Sequence, residues 1–276
     1  MAIAPGSMTK RGSTMQSRNI GLAVVVVAFC LSPSLLAASY TWDFTGNAGT
    51  NCGSNASCSA AGNSIVFSSG GVTVKATAWY VGQSGGFQAA TLGQYANGLG
   101  VCYPGENCTS LANQQVSDQL SGGFSFDEFI LFEFSKPVDP SSINLQSATS
   151  TDKDVSYWLG GNSQSLNLAG RNAADNTVTS LSSLGFGSRN DSSGNQGTTR
   201  VVDLTGGTPA GSVDAILFGA SYAYNSRYND SFLIGGMSGT LVNNPEPSSI
   251  ILLFTLTLFA FGTIRRARRK PAQTTD

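Results

Sequence analysis

Four acidic residues lie in Gly-, Ser- or Asn-rich segments near the ends of predicted strands: Glu106, Asp118, Asp152 and Asp154. Calcium takes six to eight oxygen ligands from carboxylates and amides in loops of this kind. Asp152 and Asp154 would point to the same side of a locally extended chain, as two ligands of one ion require. The alternative is that both residues start a turn and stay solvated, as Asp often does. The sequence leaves a calcium site open and favours the solvated turn.

The chain contains no histidine, and this absence excludes several kinds of chemistry. Ser-His-Asp and Cys-His catalysis and most transition-metal sites need an imidazole. Glycoside hydrolysis needs only two carboxylates, for which Glu106, Asp127, Glu128 and Glu133 are candidates. Because nothing in their spacing places two of them across a cleft, we predict no catalytic residues and a non-catalytic protein.

Aromatic residues raise the separate alternative of carbohydrate binding, since their flat faces could stack on sugar rings. The candidates are Trp79, Tyr80, Tyr95, Tyr103, Trp158, Tyr222, Tyr224 and Tyr228. Large aromatic residues more often pack in a core, and we favour that interpretation for most of them. An extracellular polysaccharide therefore remains an open alternative as a partner.

The N-terminal segment has the composition of a secretory signal peptide. Basic residues precede an apolar run from Ile20 to Leu36, and small residues follow that run. We predict a signal peptide over 1–39, which directs the chain to the Sec translocon and is cleaved by signal peptidase after Ala38 or Ser39.

The C-terminal segment has three parts in a fixed order: a Pro-Glu-Pro triplet, an uncharged apolar stretch over 248–264, and a basic cluster. These parts contain Pro245, Glu246 and Pro247, then the stretch, then Arg265, Arg266, Arg268, Arg269 and Lys270. The prolines end the preceding strand. The stretch of about 17 residues is at the lower limit for a transmembrane helix, and the cations keep the end in the cytoplasm. A plain single-pass anchor is the alternative, but it needs no Pro-Glu-Pro.

This tail, over 243–270, resembles the PEP-CTERM sorting signal of Gram-negative bacteria. The resemblance implies processing near the triplet by an exosortase, a membrane-embedded cysteine protease-transpeptidase. It also implies export across the inner membrane, transient anchoring by the C-terminal helix, and a final place at the cell surface or in the extracellular matrix. We therefore expect a structural or adhesive protein. The alternative is a carbohydrate-binding module or a carboxylate-only glycoside hydrolase on the same export route.

The remaining ectodomain, 40–242, is long enough to bury the core of one domain. Between residues 40 and 244 there are seven Lys and Arg against fourteen Asp and Glu, so the near-neutral total charge of −1 is misleading. An acidic domain argues against nucleic acid as a partner, because phosphates would repel it.

Four cysteines remain in the ectodomain: Cys52, Cys58, Cys102 and Cys108. In an exported chain an even number indicates disulfides, and four cysteines allow three pairings. We predict local pairing, Cys52 with Cys58 and Cys102 with Cys108, because each loop is short, polar and contains Gly or Asn. Zinc is disfavoured, since the usual CxxC spacing is missing and the compartment is oxidising.

Short β-rich runs alternate with turn-forming clusters through the ectodomain, which predicts an antiparallel β-sandwich of jelly-roll type. The predicted strands are 40–44, 64–67, 72–81, 87–92, 129–134, 143–148, 155–159, 165–168, 200–204, 213–219 and 231–242. Strand 72–81 alternates with period two. Strand 129–134 is almost continuously apolar, which predicts a central strand buried on both faces. The Gly-, Ser- and Asn-rich stretch 182–197 is predicted to be a long exposed loop.

The centre of the ectodomain carries a second set of motifs in order: 98–101 (GLGV), Glu106, 116–118 (VSD), 129–134 (FILFEF) and 152–158 (DKDVSYW). Over roughly 85–190 this order is similar to a group of exosortase-dependent surface proteins with the pattern GLGV, E, VDN, LFxF and DxDxSxW. The resemblance implies a β-rich surface protein of unassigned molecular activity. The chain departs from the pattern at 116–118, where Val-Asp-Asn is usual.

Overall fold

The computed structural model describes residues 38–46, 64–82, 85–104, 115–121, 124–146, 153–161, 165–171, 179–194, 199–206, 212–221 and 230–241, together with Thr257. One compact unit of the chain runs from Ala37 to Val242 and contains all the strands, and the second unit combines Met1–Leu36 with Asn243–Asp276. Most of the predicted signal peptide and tail therefore lies outside the described residues. Within the described part, no helix is long and apolar enough to cross a bilayer.

The described part of the ectodomain is all-β and antiparallel, apart from one helical turn. The strands are β1 (Ser39–Asp43), β2 (Ser64–Ser69), β3 (Val72–Val81), β4 (Phe87–Ala89), β5 (Thr91–Tyr95), β6 (Gly98–Cys102), β7 (Val116–Ser121), β8 (Phe124–Gln146), β9 (Val155–Gly160), β10 (Asn190–Ser192), β11 (Thr199–Asp203), β12 (Val213–Ala220) and β13 (Ser231–Leu241). The helical turn is α1 (Thr179–Ser182). Glycine shapes the β2–β3 hairpin: Gly70 and Gly71 both have positive φ, as a two-residue turn of this hand requires.

Strand β8 organises the sheet because its two parts have different neighbours. Over 127–134 it pairs with β3 on one side, and over 129–133 with β12 on the other. Over 138–146 it pairs with β13, and over 142–146 with β11. The change of partners falls at Pro137, which has no N–H to donate to a ladder. The prediction of two separate strands at 129–134 and 143–148 is therefore wrong, since one strand covers both.

Two groups of strands result from this arrangement. The first strand group contains β2, β3, β4, β9, β10, β12 and the early part of β8. The second strand group contains β1, β5, β6, β11, β13 and the late part of β8. Strand β7 connects them, because it pairs with the start of β8 and also with β13.

Buried apolar side chains form two clusters. The main cluster contains side chains of both strand groups, for example Val74 and Phe132 from the first and Trp42, Ile143 and Met237 from the second. Trp42 of this cluster is 2% exposed. On β3, the residues that alternate with period two face this cluster, as the pattern predicts.

The second cluster lies on the opposite face of the first strand group. Trp79, Phe129, Leu131, Trp158 and Leu217 contribute from the strands. Further side chains come from two segments that contain no strand, 165–171 and 179–187, which we call the cover segments. The cover segments supply Leu166, Leu168, Leu181 and Phe186. Residues 129–132 of β8 are completely buried, which confirms a central strand covered on both faces.

The cover segments correct two predictions. Residues 165–168 are not a strand, although Leu166 and Leu168 alternate as strand residues would. The stretch 182–197 is not simply an exposed loop, because Phe186 is 4% exposed and Asn190–Ser192 pairs with β9. Local pattern misled in both places: alternation suggested a strand at 165–168, and polar composition suggested an exposed loop at 182–197. In each segment a few apolar residues pack on the sheet. Strands β6, β7 and β10 were not predicted.

Candidate functional site

The four candidate calcium ligands are described unequally. Glu106 and Asp152 lie outside the described residues. Asp118 lies on β7, where its backbone is opposite Asp127 of β8. Asp154, directly before β9, is the one candidate whose side-chain contacts are described, and it is 8% exposed rather than solvated.

Asp154 connects three parts of the chain. Its Oδ1 accepts a hydrogen bond of 2.7 Å from the backbone N–H of Gly194. Its own N–H donates to Oδ1 of Asp230, at 2.9 Å, just before β13. Asp230 is 6% exposed, so both carboxylates are buried and hydrogen-bonded.

Arg200 of β11 reaches the same place from the second strand group. Its guanidinium donates to the carbonyl oxygen of Lys153, to Oγ of Ser192 at 2.6 Å and to the carbonyl oxygen of Ser193 at 3.0 Å. A guanidinium suits this position because its donors are held in a fixed plane and can serve several acceptors at once. Arg200 therefore fastens the segment after β10 to the residue that precedes Asp154.

The motif 152–158 continues these contacts along β9. Ser156 donates to Oδ1 of Asp191 at 2.6 Å, across the pair formed by β9 and β10. Oδ2 of Asp191 in turn forms an ion pair with Arg189 at 3.1 Å. Two residues further on, Trp158 is 1% exposed in the second cluster. Asp154 and Ser156 thus hydrogen-bond to the chain around 190–194, and Trp158 packs in the second cluster.

We define the polar cluster as Lys153, Asp154, Ser156, Asp191, Ser192, Ser193, Gly194, Arg200 and Asp230. Carboxylate oxygens of Asp154, Asp191 and Asp230 accept hydrogen bonds from protein N–H and O–H groups. Among the described residues, no group of three or more acidic or cysteine side chains is placed to hold a metal ion. The hydrogen bonds of this cluster join neighbouring strands and the segments beside them, and we call this arrangement the clasp. Its described oxygens are not directed at one point.

The candidate glycosidase carboxylates do not form a pair within the described residues. Glu128 and Glu133 lie on β8 at positions of opposite parity, so their side chains leave opposite faces of the strand. Asp127 shares a face with Glu133 but is six residues away, about 20 Å along an extended strand. A glycosidase needs its two carboxyl groups within about 10 Å. Glu106 lies outside the described residues.

Each buried glutamate instead holds a neighbouring segment. Oε2 of Glu128 accepts hydrogen bonds from the N–H and the hydroxyl of Ser117, at 3.0 and 2.9 Å. Burial and the nearby Glu128 carboxylate raise the pKa of Tyr95. Position 117 is where the resembled pattern has Asp, and a second carboxylate there would face Glu128 with like charge. The serine of this chain supplies a donor instead.

Five of the eight candidate sugar-binding aromatics are described, and all five are buried. Trp79, Tyr80, Tyr95, Tyr103 and Trp158 are each between 1% and 9% exposed. Tyr80 and Tyr103 pack near Phe126, with ring centroids of Tyr103 and Phe126 4.5 Å apart and nearly parallel. The interpretation as core residues is confirmed for these five, while Tyr222, Tyr224 and Tyr228 lie outside the described residues.

Cys102, at the end of β6, is disulfide-bonded. Cys52, Cys58 and Cys108 lie outside the described residues, so the local pairing stays a prediction. The sorting residues Pro245, Glu246 and Pro247 and the basic cluster from Arg265 to Lys270 also lie outside them.

Sequence reasoning missed Asp191, Arg200 and Asp230, which complete the polar cluster. They are far from the motif in sequence, and none of them belongs to a recognisable motif of its own. One signal was available: Arg200 is one of few cations in an acidic domain, and such a cation often has a specific partner. No family model, no curated protein and no solved structure matches this chain.

Proposed function

We propose that this chain is an exported protein of the cell surface or extracellular matrix, processed at its C-terminus by an exosortase, with a structural or adhesive role. One observation carries the proposal: the Pro-Glu-Pro triplet, the apolar stretch and the basic cluster stand in order directly after the compact unit. That unit ends at Val242, and β13 ends at Leu241. The triplet therefore begins four residues after the end of β13, the last described strand.

The domain itself supports this role in two ways. Cys102 is disulfide-bonded, which fits the oxidising compartment that an exported domain enters. Buried carboxylates such as Glu128, Glu133 and Asp154 hydrogen-bond neighbouring segments of the fold, which supports a structural role. For the architecture we propose a jelly-roll-like β-sandwich, because side chains of both strand groups meet in one main cluster.

Replacement of Pro245, Glu246 and Pro247 by alanine tests the sorting proposal. The variant should lose its signal peptide normally but keep its tail, because different enzymes remove the two ends. Full-length chains are expressed in a host that has an exosortase, and mass spectrometry of the purified protein reads both ends. A matched control replaces Asn243 and Asn244 by alanine, just before the triplet, and should be processed like the wild type. Removal of the tail from the triplet variant would reject the proposal.

Mapping of the disulfides is an independent test of export. We expect non-reduced peptides that join Cys102 to Cys108 and Cys52 to Cys58. A link between Cys102 and either Cys52 or Cys58 would keep the export proposal and overturn local pairing. A free thiol at Cys102 in the native protein would contradict export itself.

Carbohydrate binding and calcium binding are two further proposals for the same exported chain, and each can be tested separately. A pull-down on extracellular polysaccharide would distinguish a carbohydrate-binding module from a plain structural protein. A rise of the thermal midpoint with millimolar calcium, lost on substitution of Asp152 and Asp154 by asparagine, would establish the calcium site. Mass action would give about 2.7 kcal/mol at 100 times the dissociation constant.

A further inference from the structure

The first strand of the fold begins at the point where the signal peptide is predicted to be cut. The ladder between β1 and β13 starts at Ser39, which faces Thr240. Directly before it, the carbonyl oxygen of Ala38 accepts the N–H of Leu241 at 3.2 Å. The two candidate peptide bonds, after Ala38 and after Ser39, therefore lie within a paired segment of the folded domain.

Two aromatic residues hold β1 in place. Trp42 is 2% exposed, its Nε1 donates to the carbonyl oxygen of Val72 at 3.3 Å, and its ring centroid lies 5.5 Å from that of Phe134. Phe44, directly after the strand, is completely buried, and its N–H donates to the carbonyl oxygen of Gly235 at 3.0 Å. Because undocking of β1 exposes both rings to water, the open form of this strand is rarely populated.

Pairing of this segment affects how fast it can be cut. Proteases cut chain whose backbone is accessible, such as a terminus or a loop tip. The backbone groups of a paired strand are engaged in the ladder, so cleavage there waits for local opening and follows the population of the open form. Cleavage at the start of β1 is therefore fast before the strand docks and slow afterwards.

Strand β1 docks late because its partner is the last described strand. Among the described strands, β1 pairs with β13 alone. β1 ends at Asp43, whereas β13 begins only at Ser231. Until β13 has followed it through the translocon, β1 has no ladder partner among the described strands, and the cleavage site is open to signal peptidase.

We propose that signal peptidase must cut before β1 docks on β13, which fixes the order of hydrolysis and final folding. One water is added to the peptide bond after Ala38 or Ser39, which leaves a carboxylate on the signal peptide and an amine on the domain. Cleavage after Ala38 leaves all five residues of β1, and cleavage after Ser39 removes only the first of them, so the product still docks. A chain that docks β1 first retains its signal peptide. This inference rests on the proposed export and adds the order of its steps.

The time at which the protease is added tests this order in the full-length chain. The chain is synthesised in a cell-free system with detergent micelles under oxidising conditions, and purified signal peptidase is present either from the start or only after folding. We expect cleavage of the folded chain to be at least about tenfold slower, measured by mass spectrometry of the N-terminus. Equal rates would overturn the proposal. Cleavage in neither arm would reject the signal peptide itself, and the proposed order with it.

A matched control separates protection by the strand from other effects of folding. Insertion of the segment Gly-Ser-Gly-Ser-Gly-Ser between Ser39 and Tyr40 moves the cleavage site out of the ladder but keeps its residues. This variant should be cut equally fast in both arms. Slow cleavage of the folded insertion variant would show that pairing of β1 is not what protects the site, and would reject the proposal.

Two alanine variants give a second readout. Trp42→Ala removes an anchor of β1 and should restore cleavage of the folded chain. Phe129→Ala weakens the second cluster and leaves β1 docked, so its folded chain should stay resistant. Equal cleavage of the two folded variants would assign the protection to overall stability and would reject the docking of β1 as its cause.

Discussion

Neighbouring residues of β8 enter two different kinds of core. Phe132 points into the main cluster, where strands of both groups supply the surrounding side chains, and its ring lies 5.3 Å from that of Phe44. Phe129 points into the second cluster, beside Trp158 at 6.0 Å and beneath the cover segments. Both rings are completely buried. Phe132 is therefore buried by regular strands, whereas the equally buried Phe129 is covered in part by irregular chain.

Polar contacts hold the cover segments against the second cluster. Buried Glu133 accepts the N–H of Leu166 at 2.7 Å and forms an ion pair with Lys75 at 3.1 Å, which ties the first cover segment to β8 and β3. The polar cluster binds residues 191–194, directly beyond the second cover segment. Irregular chain has no ladder of its own, so its backbone groups are satisfied partly by isolated backbone contacts with the strands and partly by side chains such as that of Glu133.

The largest expected effect is on the free energy of unfolding, and it differs between two phenylalanines of β8 that enter the two clusters. Phe132→Ala should reduce the free energy of unfolding by about 3–5 kcal/mol, because regular strands cannot collapse into the cavity. Phe129→Ala should cost at least about 1 kcal/mol less, since irregular cover segments can relax toward the gap. Denaturant unfolding of the two variants measures this difference. An equal or larger cost for Phe129→Ala would show that the cover is as rigid as the strands.

The next effect concerns the fastening of the first cover segment. Glu133→Ala should cost about 2–3 kcal/mol, because it leaves the buried N–H of Leu166 without its acceptor. Glu133→Gln retains an acceptor and should cost less. The matched control Lys75→Ala removes the half-exposed partner and should cost under about 1 kcal/mol. If Lys75→Ala matched Glu133→Ala, the ion pair rather than the Leu166 hydrogen bond would hold the segment.

The sequence allowed the strands of both cores to be predicted but not the cover. The alternation of β3 predicted its bounds, and the apolar run of β8 predicted burial on both faces, although β8 extends far beyond that run at both ends. Leu166, Leu181 and Phe186 are separated by polar residues, so no period identifies their burial. Which chain covers a sheet face is decided by tertiary contacts such as that of Glu133 with Leu166.

The polar site shows the same limit. Asp154 was selected as a candidate calcium ligand because of its type and spacing, and the favoured alternative, a solvated turn residue, is wrong for it because its side chain is buried. Its actual partners, Gly194 and Asp230, are 40 and 76 residues away. No local pattern encodes contacts at that separation. The motif residues could therefore be found in the sequence, whereas the clasp that they form could not.

A smaller effect should result from opening this clasp. Asp154→Ala removes the acceptor of the Gly194 N–H, which should cost about 1–2 kcal/mol. The loss should be local: amide hydrogen exchange should quicken around 179–194 while β3 remains protected, because the main cluster is untouched. Arg189→Ala, which removes only a partly exposed ion pair to Asp191, is the control and should change little. Uniformly faster exchange over both cores would contradict a separate fastening of the second.

The smallest effect belongs to the main cluster and arises from a sequence that occurs twice. β1 ends at Asp43 and is followed by Phe44-Thr45-Gly46, and β11 ends at Asp203 and is followed by Leu204-Thr205-Gly206, so both strands lead into the pattern Asp-x-Thr-Gly. In each, the aspartate accepts both the hydroxyl and the N–H of the threonine, at 2.6–2.9 Å. The turn holds the intervening residue, Phe44 or Leu204, completely buried in the main cluster. These hydrogen bonds, first the hydroxyl and then the N–H, lower the pKa of both carboxyl groups.

A lowered pKa fixes the sign of the pH dependence. The stabilisation is fully present above the ordinary aspartate value of 3.8 and is lost as the pH falls through the lower folded value. Substitution of both Asp43 and Asp203 by asparagine keeps an acceptor but removes the titration, so unfolding free energy should fall less steeply below about pH 4. Thr45→Ala with Thr205→Ala removes the hydroxyl donors, keeps the backbone N–H donors and should flatten the same limb in part. An acid limb of unchanged slope in both double variants would assign the acid sensitivity to groups other than these two turns.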